Sequence, residues 1–362
     1  MDFAPTEAQA EARDLAARIF ADLATHERLR AAGTGSDPEL WKALCGAGLV
    51  AAVEELGLLG LVLLLEEQGR TTAQVPYAAS CVYGLLAITA HGTDEQRQRL
   101  LPGIAAGSTV VTGAFPAQPG VRLPVHPGAR PSARPVLSGT VPVVPWLRDA
   151  THVLVADAGR RLWLVDLAVG TGVEEIELTA PWSAGRLTLD EAPAEPLGAD
   201  PALDPDPDPS PASGAYADVL ATARTAFAGL QAGVCAGSLA RAVAHTNTRE
   251  QFGRPLATRQ GVQLRAADAH MDTESIRVTA YEAAWRRDAG LPYATHALTA
   301  AWWASEAGQR VVHTGQHLHG GAGADVEHPV HRHFLWGRQL DAYLGSGGEV
   351  LQELGELIAS GD

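Results

Sequence analysis

Arg249-Glu250-Gln251-Phe252-Gly253-Arg254-Pro255-Leu256 interrupts one long helical pattern and leads into another. Glycine and proline in this stretch end one helix and turn the chain into the next. Upstream, Leu220, Phe227, Leu230, Val234 and Val243 recur at helical spacing along an alanine-rich segment that begins after Gly214. Downstream, the pattern predicts three or four more helices, reaching Ile358. Residues 214–362 therefore read as a C-terminal bundle of the four-helix type.

The chain opens with helices too. Thr6-Glu7-Ala8-Gln9 has capping-box form, and Leu15, Ile19 and Leu23 follow at helical spacing. Asp37-Pro38 begins a second helix that carries Leu40, Trp41 and Leu44, and Thr93-Asp94-Glu95-Gln96 caps another running towards Pro102. Residues 1–108 read as an N-terminal helical domain. From Thr109 the texture changes to short β-branched or apolar runs such as Val153-Leu154-Val155 and Leu162-Trp163-Leu164-Val165, broken by proline and glycine. This is a middle β domain, 109–213. Its last part, 193–214, is rich in proline and aspartate, which supply neither sheet donors nor an apolar face, and reads as a linker or exposed loop. The fold class is α+β, mostly α.

Composition narrows the functions. Lysine and arginine total 27 against 42 aspartates and glutamates, a net charge of −15 that opposes nucleic acid and anionic lipid surfaces. Cys45, Cys81 and Cys235 are odd in number and far apart, so the sequence favours a reducing cytoplasm over a disulfide framework. The N-terminus has no signal-peptide pattern, and the apolar run Leu56 to Leu65 is too short and glycine-broken to span a bilayer.

Three segments, with the domain order, make the chain resemble the acyl-CoA dehydrogenases, flavoenzymes that oxidise the Cα–Cβ bond of a CoA thioester. Gly92-Thr93-Asp94-Glu95-Gln96-Arg97-Gln98-Arg99-Leu100-Leu101-Pro102 is similar to the family's segment before the β domain. Arg249 to Leu256 resembles the stretch whose arginine and aromatic residue meet the FAD diphosphate and adenine side across a subunit interface; guanidinium suits phosphate oxygens. His317-Leu318-His319-Gly320-Gly321-Ala322-Gly323 resembles the turn that lies against the ADP half of FAD from the neighbouring chain. The resemblance thus implies Arg249, Gln251, Phe252, His317, Gly320 and Gly321 as cofactor contacts, with glutamine the family's usual residue where His317 stands.

The same resemblance exposes what is missing. A positioned base contributes roughly 10²–10⁴-fold, and most members carry it as glutamate in a Tyr-Glu-Gly-Thr-like turn. The matching segment is Tyr343-Leu344-Gly345-Ser346, and leucine accepts no proton. A minority place the glutamate 26 positions before the FAD-contacting arginine; that position is Ala223, followed by Arg224, which reads as a helix-surface or interface residue. Nearby Glu349 and Asp341 read as solvated or capping charges. In the β domain the flavin-holding Thr-Glu-Pro segment becomes Thr112-Gly113-Ala114-Phe115-Pro116, and the Trp-Ile-Thr contact becomes Val143-Val144-Pro145. Proline supplies neither hydroxyl nor N–H.

By resemblance, then, this chain has no catalytic residue of its own and shares FAD with a catalytic partner subunit in an α2β2 heterotetramer. Such heteromers dehydrogenate steroid side-chain CoA thioesters; the acyl-CoA would be bound mainly by the partner, with electron-transfer flavoprotein as the electron acceptor. An active enzyme with a non-standard base remains the alternative, as does a binding or scaffold protein unrelated to CoA. His313, His317, His319, His328, His331 and His333 lack a carboxylate or cysteine at recognised metal-motif spacing, and solvated or helix-capping imidazoles account for them without a metal.

Overall fold

The computed structural model describes residues 3–122, 135–197 and 214–360. Thr6 caps α1 (Glu7–Leu23) as the capping box predicts, its hydroxyl accepting the Gln9 N–H while the Gln9 side chain accepts the Thr6 N–H. A short helix absent from the sequence reading, α2 (His26–Ala31), follows with Thr25 as its cap. Asp37-Pro38 starts α3 (Pro38–Gly46), where the Asp37 carboxylate takes the N–H groups of Glu39 and Leu40. The apolar run Leu56 to Leu65 belongs to a buried helix, α4 (Val53–Thr71), bent at Gly57 with φ 72°. The restart after that bend is capped from afar: the Asp288 carboxylate accepts from Leu58 and Leu59 N–H at 2.8 and 2.9 Å. Next come α5 (Tyr77–Ala79), a π-helical turn over Ser80–Leu86, α6 (Ala87–His91) and α7 (Asp94–Ala105), the last opened by the Thr93 capping box.

The strands are β1 (Val111–Ala114), β2 (Val136–Val144), β3 (His152–Ala156), β4 (Leu162–Asp166), β5 (Thr171–Glu175) and β6 (Gly185–Pro196). They form one sheet in the order β1-β3-β4-β6-β2, with β5 also on β6; β1 and β3 are parallel and the other pairs antiparallel. Leu137, Val141, Trp163, Leu187 and Leu189 fill its own core. β6 corrects the linker reading at its start, because 193–196 continue the strand. Ala194 and Leu197, beside the prolines, supply N–H groups to Pro135 and Leu162 carbonyls, and Ala192 and Ala194 turn inward. The rest of that segment, 198–213, lies outside the described residues.

After it runs α8 (Gly214–Thr248), then β7 (Glu250–Gln251), β8 (Arg254–Pro255), α9 (Gln260–Asp288), α10 (Ala294–His319), α11 (Pro329–Leu340) and α12 (Gly347–Ser360). By length and composition alone α8 could cross a membrane, yet it is the central helix of the bundle, packed on α4, α9 and α10. Its approach to α4 is close because of small residues. A Cβ on Gly233 would come within 2.1 Å of the Glu66 carbonyl oxygen, so the two backbones touch there. Apolar burial at roughly 25 cal/mol per Å² holds these layers together. Glu66 is buried among them, ion-paired by Arg277 at 3.0 Å, and its carboxyl is pushed upward by burial.

Candidate functional site

Ala223 lies fully buried on α8, and Leu344 is buried in the turn between α11 and α12. The structure brings the two positions into one neighbourhood through Arg224. Far from being a surface residue, Arg224 is 7% exposed; its Nε donates to the Leu344 carbonyl at 3.3 Å and its terminal nitrogens bind both Glu353 oxygens at 2.8 and 2.7 Å. Sequence reasoning missed Glu353, since nothing in the spacing of an amphipathic terminal helix points it at α8. A cavity of about 490 Å³ opens beside this group, walled by Leu220, Ala221, Leu298, Leu344 and Leu357. Of the other nearby carboxylates, Glu349 caps α12 through Ser346 N and Oγ, which holds its carboxyl below the usual range. Asp341 is not solvated: it is mostly buried and paired with Arg338, and burial raises it.

On the inner side of Leu344 and Ala223 the three parts of the chain meet in a run of aromatic rings. Tyr216 stacks on Phe115 at 5.9 Å and Phe115 on Tyr83 at 5.1 Å. Phe227 continues the run to Trp146, which stacks on Trp182 at 4.3 Å. Trp182 meets Trp336 and Tyr343 edge to face. Such rings contribute large buried area and about 0.5–1.5 kcal/mol per pair beyond it. The Tyr83 and Tyr343 hydroxyls bond each other at 3.1 Å, and burial pushes both phenols upward, so neither serves as a base near neutrality.

This cluster lies against residues 112–116 and 143–145, the β-domain segments that the resemblance pairs with the family's flavin-ring contacts. The Thr112 hydroxyl is committed to the Pro145 carbonyl at 2.6 Å. A Cβ on Gly113 would meet the Tyr83 ring at 2.6 Å, so that ring already rests on the strand. The residues present do not fit an isoalloxazine ring against these segments; the chain's own side chains take the space.

The other positions behave differently. Arg249 and Gln251 are exposed, and Phe252 is 91% exposed at the tip of the β7–β8 hairpin. The tip is fixed by φ 55° at Phe252 and 75° at Gly253, by Arg259 donating to the Gln251 carbonyl at 2.9 Å, and by the Arg259 guanidinium 5.1 Å over the Phe252 ring. The Arg249 guanidinium has no ion-pair partner among the described residues. Gly320, with φ 62°, and Gly321 are exposed, and a Cβ on either would meet nothing within 4 Å. His317 is exposed one turn before them, at the rim of a groove between α9 and α10 with Arg310 and Asp268. An open guanidinium, an open aromatic face and a bare glycine turn suit a phosphate-bearing, adenine-bearing ligand approaching from outside.

The histidines are neither all solvated nor gathered as ligands. His319 and His333 are buried, and burial drives His333 down to about 4. His328 caps α11, as helix-capping predicts. Among the described residues no three histidine, cysteine, aspartate or glutamate side chains converge as a metal cluster.

A helical domain, a small β sheet and a helical bundle with an outward hairpin define a flavoprotein dehydrogenase architecture. The chain belongs to the acyl-CoA dehydrogenase family, whose members are FAD-dependent oxidoreductases. The family's N-terminal domain matches residues 6–108 and its C-terminal domain residues 215–354. Acyl-CoA dehydrogenase FadE27 of Mycobacterium tuberculosis is 33% identical, the match covering 99% of each chain. A chain of the Tcur3481-Tcur3483 steroid ACAD is 42% identical with TM-score 0.88 over 98% of each chain. A chain of the ChsE4-ChsE5 complex from Mycobacterium tuberculosis is 29% identical, with TM-score 0.88 over 99% of each.

Proposed function

We propose that this chain is the non-catalytic subunit of a heteromeric acyl-CoA dehydrogenase, completing the FAD site of a catalytic partner in an α2β2 assembly. The observation that carries this is the aliphatic pair Leu344 and Ala223 at both base positions, with aromatic rings packed where a flavin ring would need room. In this reading Arg249 pairs with the diphosphate of the partner's FAD, Gln251 and Phe252 flank its adenine side, and His317, Gly320 and Gly321 line its ADP half. FAD accepts the hydride from the substrate; this chain's residues only hold and orient it. The acyl-CoA, bound mainly by the partner, is a steroid side-chain thioester. Similarity to one chain of a steroid ACAD and to one chain of a two-protein complex supports both the substrate class and the heteromer. Electron-transfer flavoprotein reoxidises the complex, which works in the cytoplasm; three unpaired cysteines agree with that compartment.

One observation favours a second reading, an active enzyme with a non-standard base: Glu353 stands in the cavity beside Leu344. Both its oxygens are engaged by Arg224, which disfavours proton abstraction. Purification with and without the partner, followed by flavin spectra and single-turnover reduction, tests the proposal. The chain alone is expected to be flavin-free or aggregated, and the complex yellow. Removing the partner's glutamate should abolish flavin reduction while Glu353→Gln leaves it. A yellow, active homo-oligomer of this chain would overturn the proposal.

A further inference from the structure

Both outward elements that the proposed function assigns to FAD are tied at their bases by one stack of imidazoles. His245, whose carbonyl accepts the Arg249 N–H at 2.8 Å, sits one turn before the hairpin. His319 is the last residue of α10, directly before the Gly320–Ala324 turn, and His328 is the N-cap of α11 just beyond that turn. His245 stacks on His319 at 4.7 Å, and His319 meets His328 at 4.9 Å, 61° between planes. The turn is thus a loop pinched shut by His319 and His328, and the His319 ring also stacks on His245 at the hairpin's root.

The hydrogen bonds fix which nitrogens carry protons. His319 Nδ1 lies 2.7 Å from the Gly315 carbonyl and must donate. His328 Nδ1 accepts the Val330 N–H at 3.2 Å, so it must be unprotonated. A second proton on His328 removes that lone pair and uncaps α11. It also sets a cation in contact with His319, and the groups facing His328 offer it little relief. Arg241 and His245 from α8 and His319 from α10 all oppose a positive charge, and Asp325, just after the turn, favours it. His245 in turn faces His319 and Arg249. Burial and these neighbours hold His328 and His245 below the ordinary imidazole range.

We propose that this stack is an acid-sensitive latch: protonation of His328 uncaps α11 and parts the rings, so that the Gly320–Ala324 turn and the hairpin no longer hold together as one docking edge for the partner's FAD. The sign follows from linkage. Groups that the docked fold keeps neutral favour the docked state above about pH 6.5, and that contribution is lost as pH falls through the lowered values. The latch rests on the FAD reading of this edge.

The test uses the complex with its partner and reads FAD release by fluorescence between about pH 7.5 and about pH 5.5, a range that brackets the ordinary imidazole titration. FAD affinity is expected to fall about tenfold or more across that range in the wild type and to stay within about twofold in His328→Asn, since asparagine caps a helix without titrating. A flat wild-type profile, or an equal fall in H328N, overturns the latch. Should H328N not assemble near neutrality, His245→Phe decides instead: it keeps an aromatic face on His319, removes one cation, and must move the acid midpoint down. An unmoved midpoint overturns the proposal. Loss of FAD on Arg249→Ala with a flat pH profile would refute the latch alone; indifference to Arg249→Ala would refute the FAD reading beneath it.

Discussion

The interior around Trp182 and the edge around Phe252 use aromatic residues to opposite ends. Inside, Tyr83, Phe115, Trp146, Trp182, Phe227, Trp336 and Tyr343 come from all three parts of the chain and fill the space next to Leu344 and Ala223. At the edge, one phenylalanine is presented almost bare on a hairpin with a two-residue loop, and among the described residues a guanidinium lies over its ring. A buried ring is held by contacts on every side, whereas an exposed one is costly to solvate and is retained when a ligand or partner covers it. In the proposed function both regions fall within one cofactor's footprint, with the segments assigned to the ring closed and those assigned to the phosphates open.

The most severe way to break the contrast is to hollow the interior. Trp182→Ala should destabilise the chain by about 3–5 kcal/mol in urea unfolding, because the cavity would span the joint between β domain and bundle. A loss under about 1 kcal/mol would mean that the cluster is loosely packed and the flavin side less closed than described.

Placing a carboxylate at the proposed base positions is the next test. Leu344→Glu and Ala223→Glu should each cost about 2–4 kcal/mol of stability, as buried carboxyls that take up a proton. Neither should yield flavin reduction in a complex whose partner lacks its own base. Single-turnover reduction above the background of that complex would refute the closed interior.

At the open edge the effects shrink and change kind. Arg249→Ala should weaken FAD retention by about 1.5–3 kcal/mol, roughly ten- to hundredfold, while leaving the unfolding midpoint of the complex's apoprotein in place. Gly321→Ala should alter stability by less than about 0.5 kcal/mol, since a Cβ there meets open space, and loosen FAD only severalfold by standing in its approach. A midpoint shift in either variant would show that the edge supports the fold as well as the ligand.

Much of this molecule was legible in its sequence because local rules act locally. Thr6, Asp37 and Thr93 cap helices where their side chains reach N–H groups two or three residues away, and the chain turns between α8 and α9 at Gly253 and Pro255 as read, although the small β7–β8 hairpin built there is absent from the sequence reading. Family resemblance located Leu344, Ala223 and Arg249, since motif positions survive as spacings along the chain. The long apolar run in α4 gave no hint that Asp288, far downstream, would cap its second half.

Tertiary structure alone decided what surrounds those positions. Arg224 became a buried tie between Leu344 and Glu353 because α12 packs on α10 and so brings Glu353 to α8, an event that no helical period encodes. The aromatic cluster unites residues from Tyr83 to Tyr343, and the histidine stack joins His245 to His328, each drawn from elements separated by long stretches of chain. Periodicity tells which face of a helix is apolar, but which other face meets it depends on the packing of all the layers at once. The sequence by itself therefore determined that leucine and alanine stand where the family resemblance would put a base, and the fold decided which rings, which arginine and which cavity surround them.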